Sequence, residues 1–270
     1  MSEFPRIYND RVALITGGTK GLGLCTALQF AAHGAQTVLT YRWGSADLDD
    51  VRKRFASLGA PEPLIIAADV SQSSDTEELF GIVKKQFGRL DAFISNASNA
   101  ASVRALDDLS ERAFLKSMRA GAWPTVDYTL ACKRHLARYP RYVVVFSSDG
   151  ADRFTPAYDF VAASKSAAET MVRYLAYRLR EEDFRINVIR SRAIRTDSFT
   201  DMFGAEFDGF LRNLVSEDWL VSAEDVANAA FGLCSGMFDA MTGQIVAVDR
   251  GSAFADGISL LYSNRESLGL

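Results

Sequence analysis

The sequence predicts a doubly wound α/β (Rossmann-type) domain, a parallel sheet of about seven strands with helices on both faces. Three observations predict it. Short β-branched apolar runs alternate strictly with stretches of helical spacing. The strand runs are apolar throughout instead of alternating with polar residues, the pattern of strands covered on both sides. A glycine-rich turn separates the first strand from the first helix.

The elements follow in order. "RVALIT" (11–16) is the first strand. "GLGLCTALQFAAHG" (21–34) is a helix with Leu24, Ala27, Leu28 and Ala31 on one face and Gly34 as its stop. "QTVLTY" is the second strand. "SADLDDVRKRFASLG" is a helix opened by Ser45 as N-cap, with acids in its first turn. "EPLIIAADV" is the third strand, "SSDTEELFGIVKKQFG" a helix and "LDAFISNA" the fourth strand. Two helical stretches precede "RYVVVFSS", the fifth strand. A long helix covers about 158–180, followed by strand "RINVIR", late helix "SAEDVANAAFGLC" and last strand "GQIVAVD". The 195–220 stretch has little strand character and follows the sixth strand, where insertions form binding lids. With no linker, low-complexity tract or solenoid repeat in 270 residues, one domain over 1–270 is expected.

Composition narrows the function classes. Apolar residues make up 48%, enough for a sizeable core. The net charge of -4 argues against a nucleic-acid binder. Cys25, Cys132 and Cys234 are scattered, and only His33 and His135 are present, so neither a disulfide framework nor a metal site is expected. The opening "MSEFPRIYND" has no signal pattern, and no apolar run approaches the roughly 20 residues of a membrane span. A cytoplasmic protein without a membrane partner is expected.

"TGGTKGLG", Thr16 to Gly23, sits between strand and helix. Glycines there permit a tight turn and close approach of a pyrophosphate, while the helix start offers N–H groups and partial positive charge. The spacing T-G-x-x-x-G-x-G resembles the short-chain dehydrogenase/reductase family. Further matches run from 11 to 255: "ADV" (68–70), "SNAS" (95–98), "FSS" (146–148), "SKSA" (164–167), "INV" (186–188) and "TGQIVAVDRG" (242–251). The resemblance implies a nicotinamide-dependent oxidoreductase, commonly a homo-oligomer, tetramer or dimer, built through helices around 105–138 and 158–180 and the last strand. It implies cofactor contacts at Gly17, Thr19, Lys20, Gly21, Leu22, Gly23, Tyr41, Arg42, Asp69, Val70, Asn96, Ala97, Lys165, Ile194 and Thr196. The second strand ends "LTYRWG", with Arg42 and no acid to bond the ribose hydroxyls, and Lys20 stands in the glycine loop. These cations favour NADPH over NADH.

The catalytic stretch "AYDFVAASKSA" (157–167) departs from the family's Tyr-x-x-x-Lys. Counting back from Lys165, Val161 stands where the tyrosine belongs, whereas Ser148 is in register with the family serine. Tyr158 lies seven residues before Lys165. On a helix, positions that far apart differ by about 20° and about 10 Å of rise, so the phenol is displaced by a turn yet shares the face. Reducing an α,β-unsaturated thioester places the β-carbon at the hydride donor and develops charge on an oxygen further along, which asks for a more distant donor. Tyr-x6-Lys resembles the bacterial enoyl-acyl-carrier-protein reductases of the family. By that resemblance Tyr158 stabilises the enolate oxygen, Lys165 organises the cofactor ribose and Ser148 is a secondary pocket hydroxyl. The substrate is then an acyl thioester, on an acyl carrier protein or CoA. A carbonyl reductase and a non-catalytic cofactor-binding member are the alternatives.

Other departures are Ser98 for a glycine, Arg119 near a relay asparagine, and "RSRAIRT" (190–196) for S-P-G-x-x-x-T. Arg190, Arg192 and Arg195 read either as a basic rim that steers an acidic carrier or as a solvated loop. The C-terminal "GISLLYSNRESLGL" is apolar enough to join an interface or close the pocket.

Overall fold

The computed structural model describes residues 6–42, 46–98, 103–192, 194, 204–214 and 220–269. Seven strands carry the β-branched runs: β1 (Val12–Ile15), β2 (Gln36–Tyr41), β3 (Leu64–Ala67), β4 (Ala92–Ser95), β5 (Tyr142–Ser148), β6 (Arg185–Ser191) and β7 (Ile245–Val248). They form one parallel sheet in the order β3-β2-β1-β4-β5-β6-β7. Leu14 of β1 stands opposite Val38 and Phe93 on its two neighbours. Chain order reverses between β1 and β4, which opens a crevice at their carboxyl ends.

Helices cover both faces. α1 (Gly21–Ala32), α2 (Leu48–Ser57), α3 (Ser73–Gln86), α4 (Glu111–Gly121), α5 (Trp123–Leu136) and α6 (Asp159–Arg178) precede β6. α7 (Ala205–Leu214), α8 (Ala223–Cys234) and α9 (Gly257–Ser263) follow it. Because side chains alternate along a strand, one face presents Leu14, Val38, Phe93, Val143, Val145 and Val188 to α3, α5 and α6. The other presents Ala13, Ile15, Leu39, Ile94, Val144 and Ile189 to α1, α2 and α8. Phe93 stacks on Tyr128 at 5.0 Å between ring centroids, with Phe80 edge-on at 5.7 Å. All three are fully buried, and truncating such a ring to Ala costs about 3–5 kcal/mol.

Two expectations change. Asp47, not Ser45, caps α2: its carboxylate accepts from the amides of Asp49 and Asp50. An N-cap oxygen must stand next to the first helical turn, and Ser45 lies outside the described residues. Tyr158 is the flanking residue of α6, not a residue of its first turn. Ala157 before it takes a left-handed φ of 62°, and its carbonyl accepts from the Val103 amide at 3.2 Å. Left-handed backbone at a residue with a Cβ costs about 1–3 kcal/mol, and here it fixes the direction in which Tyr158 leaves the chain. Within the expected lid, 204–214 includes α7, which Ser267 joins by donating its hydroxyl to the Asn213 carbonyl at 2.9 Å. Among the described residues no helix is long and apolar enough to cross a membrane.

Candidate active site

The crevice between β1 and β4 is assembled by Thr16 and Asn96. Thr16 Oγ1 accepts from the amides of Asn96 and Ala97, both at 3.0 Å. Asn96 Nδ2 donates to the carbonyls of Thr16 at 2.8 Å and Gly17 at 3.2 Å. Gly17 and Gly21 have φ of 61° and 52°, which only glycine adopts cheaply. At Gly23 a Cβ would lie 2.2 Å from the Gly17 carbonyl oxygen and 2.6 Å from Asn96 Nδ2, so the helix meets the turn without room for a side chain. Lys20 takes the N-cap position of α1, exposed and without a side-chain cap, and the first turn holds no acid. Thr19 is buried and Leu22 half-buried against the core. An uncapped helix start, no opposing negative charge and a turn narrowed to bare backbone suit a dinucleotide pyrophosphate.

At the outer end of the crevice, Tyr41 closes β2 beside Ala67. Arg42 Nε pairs with Asp69 Oδ2 at 2.8 Å. Asp69 is held in turn by the Ser71 amide at 2.9 Å and hydroxyl at 2.7 Å, and Val70 is buried beneath it. The cation expected here is therefore oriented by an acid from the neighbouring strand end.

The inner end holds Ser148, Tyr158 and Lys165. Ser148, the last residue of β5, donates from Oγ to the Tyr158 hydroxyl oxygen at 3.0 Å. The ring lies against Gly150, where a Cβ would come within 2.6 Å of Cδ1. Burial pushes the Tyr158 phenol above its ordinary pKa, partly offset by the Ser148 hydrogen bond, so the group stays protonated and able to donate. Lys165 is buried in α6, and its Nζ donates to the Phe146 carbonyl at 2.8 Å. Burial lowers its pKa to about 8 against the opposing pull of Glu169. Val161 is only 3% exposed, an apolar core position where the common signature has its phenol. Tyr158 and Ser148 are thus in contact at the end of β5, and Lys165 reaches the same strand two residues earlier, at Phe146.

Several expectations need adjusting. Two arginines of the expected rim are paired within the chain: Arg190 pairs with Glu169 at 2.5 Å and also with Asp152. Arg192 pairs with Asp149 at 3.0 Å and donates to the Ser252 carbonyl at 2.9 Å. Both guanidiniums answer carboxylates of this chain; Arg190 is largely buried, while Arg192 stays 39% exposed. Arg195 and Thr196 lie outside the described residues, while Ile194 packs half-buried against the core. Ser98 and Arg119 are exposed. Sequence reading missed Gly150, Ser147 and Glu169. Glu169 stands one helical turn beyond Lys165, a spacing that could have drawn notice.

A family model described as enoyl-(acyl carrier protein) reductase matches residues 17–253. The chain belongs to the short-chain dehydrogenase/reductase family. This short-chain dehydrogenase/reductase is 27% identical over 253 residues to the NADH-dependent enoyl-acyl-carrier-protein reductase FabI of Aquifex aeolicus, covering 91% of this chain and 92% of that protein. The solved structure of the Aquifex enzyme overlays with a TM-score of 0.79 at 26% identity, covering 92% of this chain and 98% of that one. Versicolorin reductase 1 of Aspergillus parasiticus is 26% identical over 263 residues, covering 93% of this chain and 99% of that protein. A short-chain dehydrogenase from Burkholderia cenocepacia, solved in complex with NADP, overlays with a TM-score of 0.79 at 25% identity, covering 92% and 99% of the two chains. The family is one of NAD(P)H-dependent oxidoreductases, and that class holds for this chain; the relatives themselves reduce diverse substrates.

Proposed function

We propose that this short-chain dehydrogenase/reductase reduces the carbon–carbon double bond of an α,β-unsaturated acyl thioester with NADPH. The observation that carries the reading is the Ser148–Tyr158 pair, with the phenol seven residues before Lys165 and the usual tyrosine position filled by buried Val161. Bound in the crevice, the reduced nicotinamide supplies hydride. Hydride addition at the β-carbon would move the π electrons to the thioester oxygen, and the resulting enolate would take a proton from solvent water at the α-carbon. Tyr158 donates a hydrogen bond to that oxygen as its charge develops, a contact strongest in the transition state. Ser148 holds the phenol in place. Lys165, kept cationic, donates to the ribose hydroxyls. Gly17, Thr19, Gly21, Leu22 and Gly23 leave backbone room for the pyrophosphate, with Asn96 and Ala97 fixing the turn beneath it. Asp69 and Val70 flank the adenine.

Lys20, and Arg42 beside Tyr41, support NADPH over NADH. An acid at the end of β2 would bond the ribose hydroxyls and repel a 2′-phosphate; this chain has a cation there. The acyl group is carried on an acyl carrier protein or CoA. Exposed Leu130, Tyr174 and Tyr177 on α5 and α6 suit a homo-oligomer, dimer or tetramer, and α7 suits a lid over the substrate.

One observation favours a second reading, carbonyl reduction. Two hydroxyls converging at 3.0 Å can also hold a ketone oxygen. The paired assay is NADPH oxidation with a crotonyl thioester and with an acetoacetyl thioester. The proposal expects higher kcat/KM on the crotonyl substrate, and turnover of the ketone alone would overturn it.

A further inference from the structure

Behind Lys165 lies a charged network that the reaction above leaves without a role. Glu169 is 5% exposed, one turn beyond Lys165 on α6. Its Oε1 accepts from the Ser147 hydroxyl at 2.6 Å and from Arg190 Nε at 3.1 Å, and its Oε2 accepts from Arg190 Nη2 at 2.5 Å. Ser147 sits between the two β5 residues that touch the chemistry. The Phe146 carbonyl accepts from Lys165, and the Ser148 hydroxyl donates to Tyr158. The carboxylate therefore ties α6, β5 and β6 together at the residue from which both contacts extend.

We propose that the Glu169–Arg190 ion pair is a positioning device for Lys165, setting the charge around its ammonium and fixing the end of β5 that holds Lys165 and Tyr158. The inference rests on the reading of Lys165 as the residue that organises the cofactor.

Geometry and charge point the same way. A buried ammonium needs a counter-charge to stay protonated. Glu169 is the acid that raises the Lys165 pKa against burial, and the same carboxylate is paired with Arg190 at 2.5 Å. The other charged or titratable groups around them are Tyr158 at the start of α6, Asp149 and Asp152 after β5, and Arg192 just after β6. Asp152 engages Arg190 and Asp149 engages Arg192. Of the helices packed on α6, α4 approaches through Gly121 against Ser164 and has exposed Arg119, and α5 has buried Asp127, 4.0 Å from Arg134. A structural pair that only held the elements together would have no reason to send its two single variants in opposite directions.

The test is NADPH binding, read by the fluorescence of the bound cofactor across pH, for the wild-type protein and three variants. Glu169→Gln removes the counter-charge and leaves the Arg190 cation, so the loss of affinity at alkaline pH moves to lower pH. Arg190→Gln leaves Glu169 to Lys165 alone, so the same loss moves to higher pH. Shifts of at least about half a pH unit are expected for each. The double variant returns close to wild type. Unmoved profiles, or both single variants moving together, overturn the inference. Removing one partner of a buried pair can unfold a protein, so thermal melts accompany each variant. If Glu169→Gln does not fold, Arg190→Gln decides: an upward shift supports the inference and no shift overturns it. Crotonyl thioester inactivity with intact NADPH titrations sinks the enoyl reading and leaves this one standing; wild-type protein that binds no NADPH overturns both.

Discussion

Ser148 Oγ stands 3.0 Å from the Tyr158 hydroxyl, on the far side of a left-handed turn at Ala157. The displaced tyrosine is therefore aimed at the family serine and is not an isolated helix-start aromatic. Tyr158→Phe keeps the ring against Gly150 and removes only the donor. Its kcat on an enoyl thioester should fall about 10²–10³-fold, with NADPH affinity unchanged. Steady-state kinetics and a cofactor titration check it; full activity in Tyr158→Phe removes the phenol from the mechanism.

Gly150→Ala tests the aim of the ring without touching its hydroxyl. The added methyl would sit 2.6 Å from Tyr158 Cδ1, so the ring has to move. Enoyl turnover should drop at least about tenfold, since a shift of about 1 Å can cost far more. A variant that folds and turns over normally shows that the ring's placement is not critical.

Gly23→Ala tests the crevice. A Cβ 2.2 Å from the Gly17 carbonyl oxygen forces α1 and the turn apart. NADPH affinity should fall beyond detection while the far-ultraviolet circular dichroism is kept. Tight binding by this variant contradicts the placement of the pyrophosphate.

The pH dependence follows from Lys165. Its cationic form is the donor to the cofactor, and burial holds its pKa at about 8. The protonated form is full below that value and lost above it, so NADPH affinity should be flat at lower pH and decline as pH rises through about 8. Lys165→Met should bind weakly at every pH and lose the decline.

Cofactor choice is tested at Arg42, which pairs with Asp69 at 2.8 Å. Arg42→Ala should reduce the preference for NADPH over NADH about tenfold or more, the worth of one charge-assisted hydrogen bond to phosphate. An unchanged ratio of dissociation constants places discrimination elsewhere.

Much of this was legible before any coordinates. Strand Val12–Ile15 and the Val143–Phe146 run of β5 are uniformly apolar because both faces are covered, and that signal is local. The glycine loop and the Ser148, Tyr158 and Lys165 register could be read by spacing because each is a pattern local to one stretch of sequence. Pairings across the fold could not. Arg190 and Glu169 are 21 positions apart and Arg42 and Asp69 are 27, and neither member signals its partner. That is why Arg190 and Arg192 read as a rim in sequence and stand as ion pairs with Glu169, Asp152 and Asp149 in space. Residue type alone points to Ser45 as the cap of α2; the backbone starts the helix after Asp47, whose carboxylate caps it.

The most direct test of the central claim is the fate of the hydride. With NADPH deuterated at the nicotinamide C4 and a crotonyl thioester, the saturated product should carry deuterium at its β-carbon, read by NMR. No deuterium in a crotonyl-derived product, with label instead at the carbinol carbon of hydroxybutyryl thioester made from acetoacetyl thioester, would contradict it.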